Sequence, residues 1–165
     1  MTEPNLIEQV LDALQRFPWK RTSNRTNIGP NIYSMVLGWV KQPFHTPAYH
    51  LSKLHNEQPE MFELLCRFVW EHDPTFTFSS ITLNKDLQCP PHVDANNVGP
   101  SLIIGLGNYD GGELVVEGKK YESRTSGLNM MAPRPTGLKF LQVRDTHLYI
   151  IPYVGHQLYF IIYET

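Results

Sequence analysis

The hydrophobic periodicity of the sequence changes near residue 75, and this change constrains the fold more than any other feature of the chain. Before it, apolar residues recur at helical spacing in two segments. After it, short apolar or alternating runs are separated by clusters of Gly, Pro, Asn and Asp, which is typical of strands and turns. The pattern predicts an α+β, mainly β chain, in which two N-terminal helices pack outside a β-sandwich or barrel.

The two helices are predicted over residues 5–17 and 59–72. Asn5 can cap the first helix, and Glu8 stands three residues on, as in a capping box. Pro59 fits the first turn of the second helix. Residues 20–31 and 41–58 are predicted to be loops, and they flank a strand over residues 32–40.

The strands after the change of periodicity are predicted from six runs: 76–83, 101–106, 113–117, 138–143, 147–152 and 157–163. A length of 165 residues suits one domain with a single core. We therefore expect a single domain over 1–165, with helical support from 1–74 and a β core over 75–165.

Composition narrows the class of protein. Apolar residues make up 41% and charged residues 18% of the chain, and its formal net charge is -2. These values are ordinary for a soluble globular protein and do not favour bulk electrostatic binding of nucleic acid. No apolar run is long enough to span a membrane, and no secretory signal is expected. The chain has only two cysteines, Cys66 and Cys89, so we do not expect a disulfide framework. We expect an intracellular location.

The stretch that carries chemistry is an H-x-D motif formed by His92 and Asp94. Positions i and i+2 of a strand share a face, so the imidazole and the carboxylate can reach one metal ion. A distant second histidine would complete a 2-His-1-carboxylate triad, which is diagnostic of non-haem Fe(II) oxygenases. His147, which lies 53 residues beyond Asp94 at the head of an apolar run, is our candidate.

A lone H-x-D is weak support, because a surface histidine and a turn aspartate give the same pattern by chance. The order of elements is more specific: a strand, the H-x-D, a strand, a Gly111-Gly112 turn opening another strand, and a histidine that begins a late strand. His156 remains an alternative distal ligand to His147.

In these motifs, residues 76–163 resemble the Fe(II)/2-oxoglutarate-dependent dioxygenase superfamily, and most closely its prolyl-hydroxylase-like and TET/JBP-like branches. The matching segments are 80–85, 92–101, 106–114, 146–147 and 152–155. The resemblance implies a double-stranded β-helix, which is a jelly-roll, cupin-like fold, and a hydroxylase that uses Fe(II) and O2. It also implies 2-oxoglutarate as cosubstrate, for which Asn84, Ser101 and Gln157 are candidate binding residues.

One position departs from the family pattern. The family carries an arginine about ten residues after the distal histidine, which pairs with the far carboxylate of 2-oxoglutarate, and this chain has Gln157 there. Glutamine offers amide hydrogen bonds only, not a bidentate charge-assisted pair. Arg134, Lys139 and Arg144 are alternative donors that the sequence does not place.

Three functions remain open at this point. The first is an Fe(II)-dependent oxygenase that hydroxylates an unactivated C–H bond of a modified nucleobase, a protein side chain or a metabolite. The second is a cupin-like metal-binding protein that has lost 2-oxoglutarate-dependent activity. The third is a plain β-barrel interaction domain in which the triad is a coincidence.

Overall fold

The computed structural model describes residues 4–21, 33–41, 48–86, 100–121, 141–143, 148–150 and 153–164. These ranges hold three helices and nine strands. In chain order they are α1 Leu6–Arg16, β1 Tyr33–Lys41, β2 Tyr49–Leu51, α2 Lys53–Glu57, α3 Pro59–His72, β3 Phe78–Lys85, β4 Ser101–Gly111, β5 Leu114–Val116, β6 Lys119–Tyr121, β7 Leu141–Val143, β8 Leu148–Ile150 and β9 Tyr153–Glu164. The α+β, mainly β prediction is confirmed.

Helix α1 forms where the capping signal predicts it. The Asn5 side chain accepts a hydrogen bond from the Glu8 backbone N–H, and the Glu8 carboxylate accepts one from the Asn5 N–H, both at 2.9 Å. This reciprocal pair satisfies two N–H groups that have no partner within the helix. Ile7, Val10 and Leu14 form the buried stripe of the helix.

Helix α3 begins and ends at the predicted residues, with Pro59 in its first turn. Its buried stripe is formed by Met61, Leu65, Cys66, Phe68 and Val69. Beyond its end, the Asp73 carboxylate accepts hydrogen bonds from the Thr75 hydroxyl at 2.7 Å and the Thr75 N–H at 2.9 Å. These bonds hold the pKa of Asp73 below its ordinary value.

The loop predicted over residues 41–58 is wrong in its second half, because β2 and the short helix α2 lie there. The structure therefore has a third helix, where two were predicted. Ser52 caps α2 by accepting a hydrogen bond from the His55 N–H at 3.0 Å. His50 and His55, predicted to be loop residues, lie on β2 and α2. Elements of three and five residues are too short to show a periodicity.

The strands form two sheets in which every pairing is antiparallel. The larger sheet has six strands in the order β2-β1-β3-β9-β4-β7, and the smaller has three in the order β6-β5-β8. The turn between β5 and β6 has positive φ at Glu117 (49°) and Gly118 (76°), as a tight hairpin requires. Strand β6 was not predicted from the sequence.

The two long helices pack on one face of the larger sheet, which we call the helix face. Here Leu14 of α1 and Phe68 of α3 share a core with Leu37, Leu83 and other buried apolar residues of β1, β3 and β4. Burial of this apolar stripe holds the helices in place. No helix within the described ranges is long and apolar enough to cross a membrane.

Candidate functional site

The face of the larger sheet opposite the helices carries polar residues that are nevertheless buried. On β3, Ser80, Thr82 and Asn84 alternate with the core residues Ile81 and Leu83. Successive strand residues point to opposite faces, so the three polar side chains share the face away from the helices. We call it the polar face.

The strand register extends the polar face across the sheet in rows of paired positions. One row runs Ser34, Asn84, Tyr159 and Gly105. The row that follows along β4 and β9 pairs Gly107 with Gln157. Ser101 belongs to the row of Ser80 at the other end of the face. Directly paired antiparallel residues lie on the same side of a sheet, so these rows define positions on one surface.

Asn84 is the most unusual residue of the polar face. The residue is 1% exposed, and among the residues that the structure describes its amide nitrogen Nδ2 has no hydrogen-bond partner. Leaving a buried donor without a partner costs about 1–3 kcal/mol. A ligand oxygen atom that accepted this hydrogen bond would remove the cost, so the residue fits an oxygen-bearing ligand.

Of the three predicted cosubstrate residues, the register brings two together. Asn84 pairs with Tyr159, so Gln157 takes the diagonal position two residues along β9, for which a separation of about 7–8 Å is usual. Ser101 pairs with Tyr163, six positions from Gln157, which is roughly 20 Å along the strand. Ser101 therefore lies at the far end of the face, and its role in cosubstrate binding stays a prediction.

The predicted metal ligands His92, Asp94 and His147 lie outside the described residues. Among the residues that the structure describes, no group of three or more His, Cys, Asp or Glu side chains could hold a metal ion. The alternative ligand His156 is on β9, where it pairs with Asn108. The metal site therefore stays a prediction.

The electrostatic character of the polar face is neutral where its side chains are described. On β1, β3 and the first part of β4 it presents hydroxyl, amide and apolar groups only. The nearby cation Lys85 belongs to the helix face, where its Nζ lies 5.6 Å from the Tyr33 ring centroid and 6.0 Å from that of Trp19. Arg134, Lys139 and Arg144 lie outside the described residues.

Sequence reasoning missed Ser80 and Thr82 as members of this face. The signal was present, since Ser80-Ile81-Thr82-Leu83-Asn84 alternates polar and apolar residues strictly. Such alternation normally indicates a strand with one side in water. Here the polar side is buried as well, which only the three-dimensional structure shows.

Comparison with known proteins identifies a shared fold. No family model and no curated protein matches the chain. Among solved structures, an oxidoreductase of the 2OG-Fe(II) oxygenase family from Burkholderia pseudomallei matches with a TM-score of 0.56 and 23% identity, over 96% of this chain and 78% of that one. The chain shares the fold of that oxygenase. A prolyl-4-hydroxylase from Pseudomonas putida matches with a TM-score of 0.44 and 10% identity, over 96% of this chain and 83% of that one.

Proposed function

We propose that this protein is an Fe(II)-dependent oxygenase that hydroxylates an unactivated C–H bond and uses 2-oxoglutarate as cosubstrate. The observation that carries the proposal is the fold shared with the Burkholderia oxygenase over 96% of the chain. Fold alone does not determine function, so the site must support the assignment separately.

The proposal includes a double-stranded β-helix, which the path of the chain supports. After β4 the chain passes to the smaller sheet for β5 and β6, returns to the larger sheet for β7, leaves it for β8 and returns for β9. Alternation of one chain between two antiparallel sheets is how a jelly roll is built. The smaller sheet would then cover the polar face, consistent with the burial of that face.

In this proposal His92, Asp94 and His147 hold the metal. Strands β3 and β4 are both antiparallel to β9, so they run parallel to each other. The connection that carries the H-x-D motif therefore starts at the Asn84 end of the polar face and ends at its Ser101 end. Fe(II) held by the three ligands would supply the activation of O2, while the chain's own residues would hold the ligand set and exclude water.

The choice of His147 over His156 is supported by the register of β9. Adjacent positions on a strand belong to opposite faces, so His156 and Gln157 occupy positions on different faces. Gln157 is in the row next to that of Asn84, which places position 156 on the helix face. A metal site on the polar face would therefore use His147.

The cosubstrate in this proposal lies over Asn84 and Gln157. The Asn84 Nδ2 would donate a hydrogen bond to a carboxylate or carbonyl oxygen, which satisfies a donor that otherwise has no partner. Gln157 would contribute a second neutral donor in place of the arginine of the related enzymes. A neutral amide binds a carboxylate less strongly than a guanidinium does.

Metal binding by purified variants tests the first part of the proposal. We expect wild type to bind one equivalent of Fe(II) anaerobically, and His92→Ala and Asp94→Ala to lose it. His72→Ala, an exposed histidine at the end of α3, is the matched control and should bind normally. Comparing His147→Ala with His156→Ala decides the distal ligand. Unchanged metal content in both H-x-D variants would show that the metal site is elsewhere.

Titration with 2-oxoglutarate in the presence of Fe(II) tests the second part, because the bound chelate gives a charge-transfer absorption band. Gln157→Arg should tighten binding, since a charge-assisted bidentate contact contributes on the order of 2–3 kcal/mol, or about 30–150-fold in Kd. Tight binding by wild type and weaker binding by the arginine variant would mean that another cation, such as Arg144 or Lys139, is the anchor. Metal binding without any cosubstrate binding would instead favour a cupin-like metal-binding protein.

The proposal includes three candidate classes of substrate. Residues 96–99 resemble the branch that oxidises modified pyrimidines, so a modified nucleobase is one candidate substrate. A protein side chain and a metabolite are equally compatible with the neutral polar face. Loss of 2-oxoglutarate on incubation with each substrate class separates the three.

A further inference from the structure

Gly105 lies in the interior of β4, an 11-residue strand. Its neighbour Gly107 has a φ of 110°, a conformation that other residues rarely adopt, whereas Gly105 does not have a positive φ. Glycine weakens a strand because it loses more conformational freedom on folding and has no side chain to pack. A glycine without a backbone requirement often marks the close approach of another group.

The strand register places Gly105 at a position where a ligand could approach the backbone closely. It belongs to the row of Asn84, with Tyr159 of β9 between them, so the two are separated by two strand spacings, or roughly 10 Å. Gly107 is two residues further on the same face and pairs with Gln157. For about 7 Å along β4 the polar face therefore has no side chain on this strand.

We propose that Gly105 and Gly107 form a recess that seats the carbon chain of a small 2-oxoacid, while Asn84 donates a hydrogen bond to one of its oxygen atoms. This inference rests on the proposed function, and it assigns to Gly105 the control of ligand size. The two observations are independent, since one concerns missing side-chain volume on β4 and the other an unsatisfied buried donor on β3. The ligand lies against the sheet because no Cβ atom holds it away.

If the recess exists, Gly105→Ala should have opposite effects on stability and on ligand binding. Alanine fits the ordinary backbone of this position and restricts the unfolded chain, so the melting temperature of the ligand-free protein should rise. The added methyl group should at the same time weaken ligand binding. Gly105→Val should weaken it further, by about tenfold or more, as is usual for overpacking of a fitted site.

The experiment measures melting temperature and, by calorimetry, binding of Mn(II) and then of 2-oxoglutarate, with Mn(II) as a redox-inert substitute for iron. Wild type is compared with Gly105→Ala, Gly105→Val and Val36→Ile. The last variant adds one methyl group to the same face on β1, three strands from Gly105, and should bind 2-oxoglutarate as wild type does. Both Gly105 variants should keep the Mn(II) affinity of wild type.

The outcomes separate this inference from the proposed function. If wild type binds both probes and Gly105→Val binds 2-oxoglutarate equally well, the recess is wrong and the proposed function stands. A lower melting temperature for Gly105→Ala would show that a side chain of the protein fills the space, which also overturns the recess. If wild type binds Mn(II) but no 2-oxoglutarate, the recess and the assigned cosubstrate both fail, while the metal site stands.

Discussion

Replacing Asn84 by leucine should make the protein more stable and less able to bind its ligand. Leucine has the same branching pattern as asparagine, is larger, and has no polar atom. Asn84 is 1% exposed on β3, and its Nδ2 has no partner within the described ranges of the chain. The substitution therefore removes a buried donor without leaving a cavity.

The size of the effect follows from the desolvation of that one donor. A buried donor without a partner costs about 1–3 kcal/mol, and this amount should appear as added free energy of unfolding. For a chain of 165 residues, 1 kcal/mol corresponds to a shift of about 2–4 °C in melting temperature. The Asn84→Leu protein should thus melt about 2–12 °C higher than wild type when no ligand is present.

Urea denaturation and thermal melting, with and without Mn(II) and 2-oxoglutarate, measure both effects. Wild type should gain stability on adding ligand, and Asn84→Leu should gain much less, because it cannot donate to the ligand. Thr82→Val, on the same strand and the same face, is the control, because it removes a buried polar group with little change in the size of the side chain. It should be neutral or destabilising. Destabilisation of Asn84→Leu by more than about 3 kcal/mol, which exceeds the usual cost of a larger side chain in a packed site, would refute the reasoning, because it would mean that the amide is bonded within the protein.

Three further predictions concern the support of the site. Gly38→Ala should destabilise the protein by about 2 kcal/mol or more in urea, because φ is 91° there and a Cβ atom would overlap the Ser79 carbonyl oxygen; an unchanged midpoint would contradict this geometry. Asn5→Ala should lower the free energy of unfolding by about 0.5–2 kcal/mol, because the helix loses its cap. Asn5→Asp should keep most of the wild-type stability, because aspartate also caps helices. Burial raises the pKa of the Cys66 thiol to about 11, so in a Cys89→Ser background native protein at pH 8 should react with a thiol reagent much more slowly than unfolded protein; equal rates would show that the thiol is accessible.

The two long helices, α1 and α3, were predictable because their signals are local. The capping box of Asn5 and Glu8, and Pro59 at the start of α3, act within a few residues, and each stripe repeats over several turns. The turn at Gly111-Gly112 was predictable for the same reason, and Gly112 has a φ of 70°. In each case the physical cause and the sequence signal lie in the same short segment.

The sheet was less predictable because its causes are not local. Strand β2 exists by pairing with β1, where Trp39 is opposite Leu51, and three residues show no periodicity of their own. The diagonal relation of Asn84 and Gln157 depends on the register between β3 and β9. A shift of one residue would move Gln157 to the other face. Sequence spacing alone could therefore nominate both residues but not place them together.

The strongest support for a ligand site on the polar face comes from two residues, Asn84 and Gly105, whose types are unfavourable at buried strand positions. Asn84 has a buried donor without a partner among the described residues, which costs about 1–3 kcal/mol, and glycine at position 105 of a strand interior costs about 0.5–1 kcal/mol. Stabilising substitutions are easy to find in most proteins, and selection rejects them where activity requires the destabilising group. The two residues lie in one row of the sheet although they are more than twenty positions apart in sequence and belong to different strands. A purely structural explanation needs a separate reason for each residue, whereas a ligand in that row accounts for both.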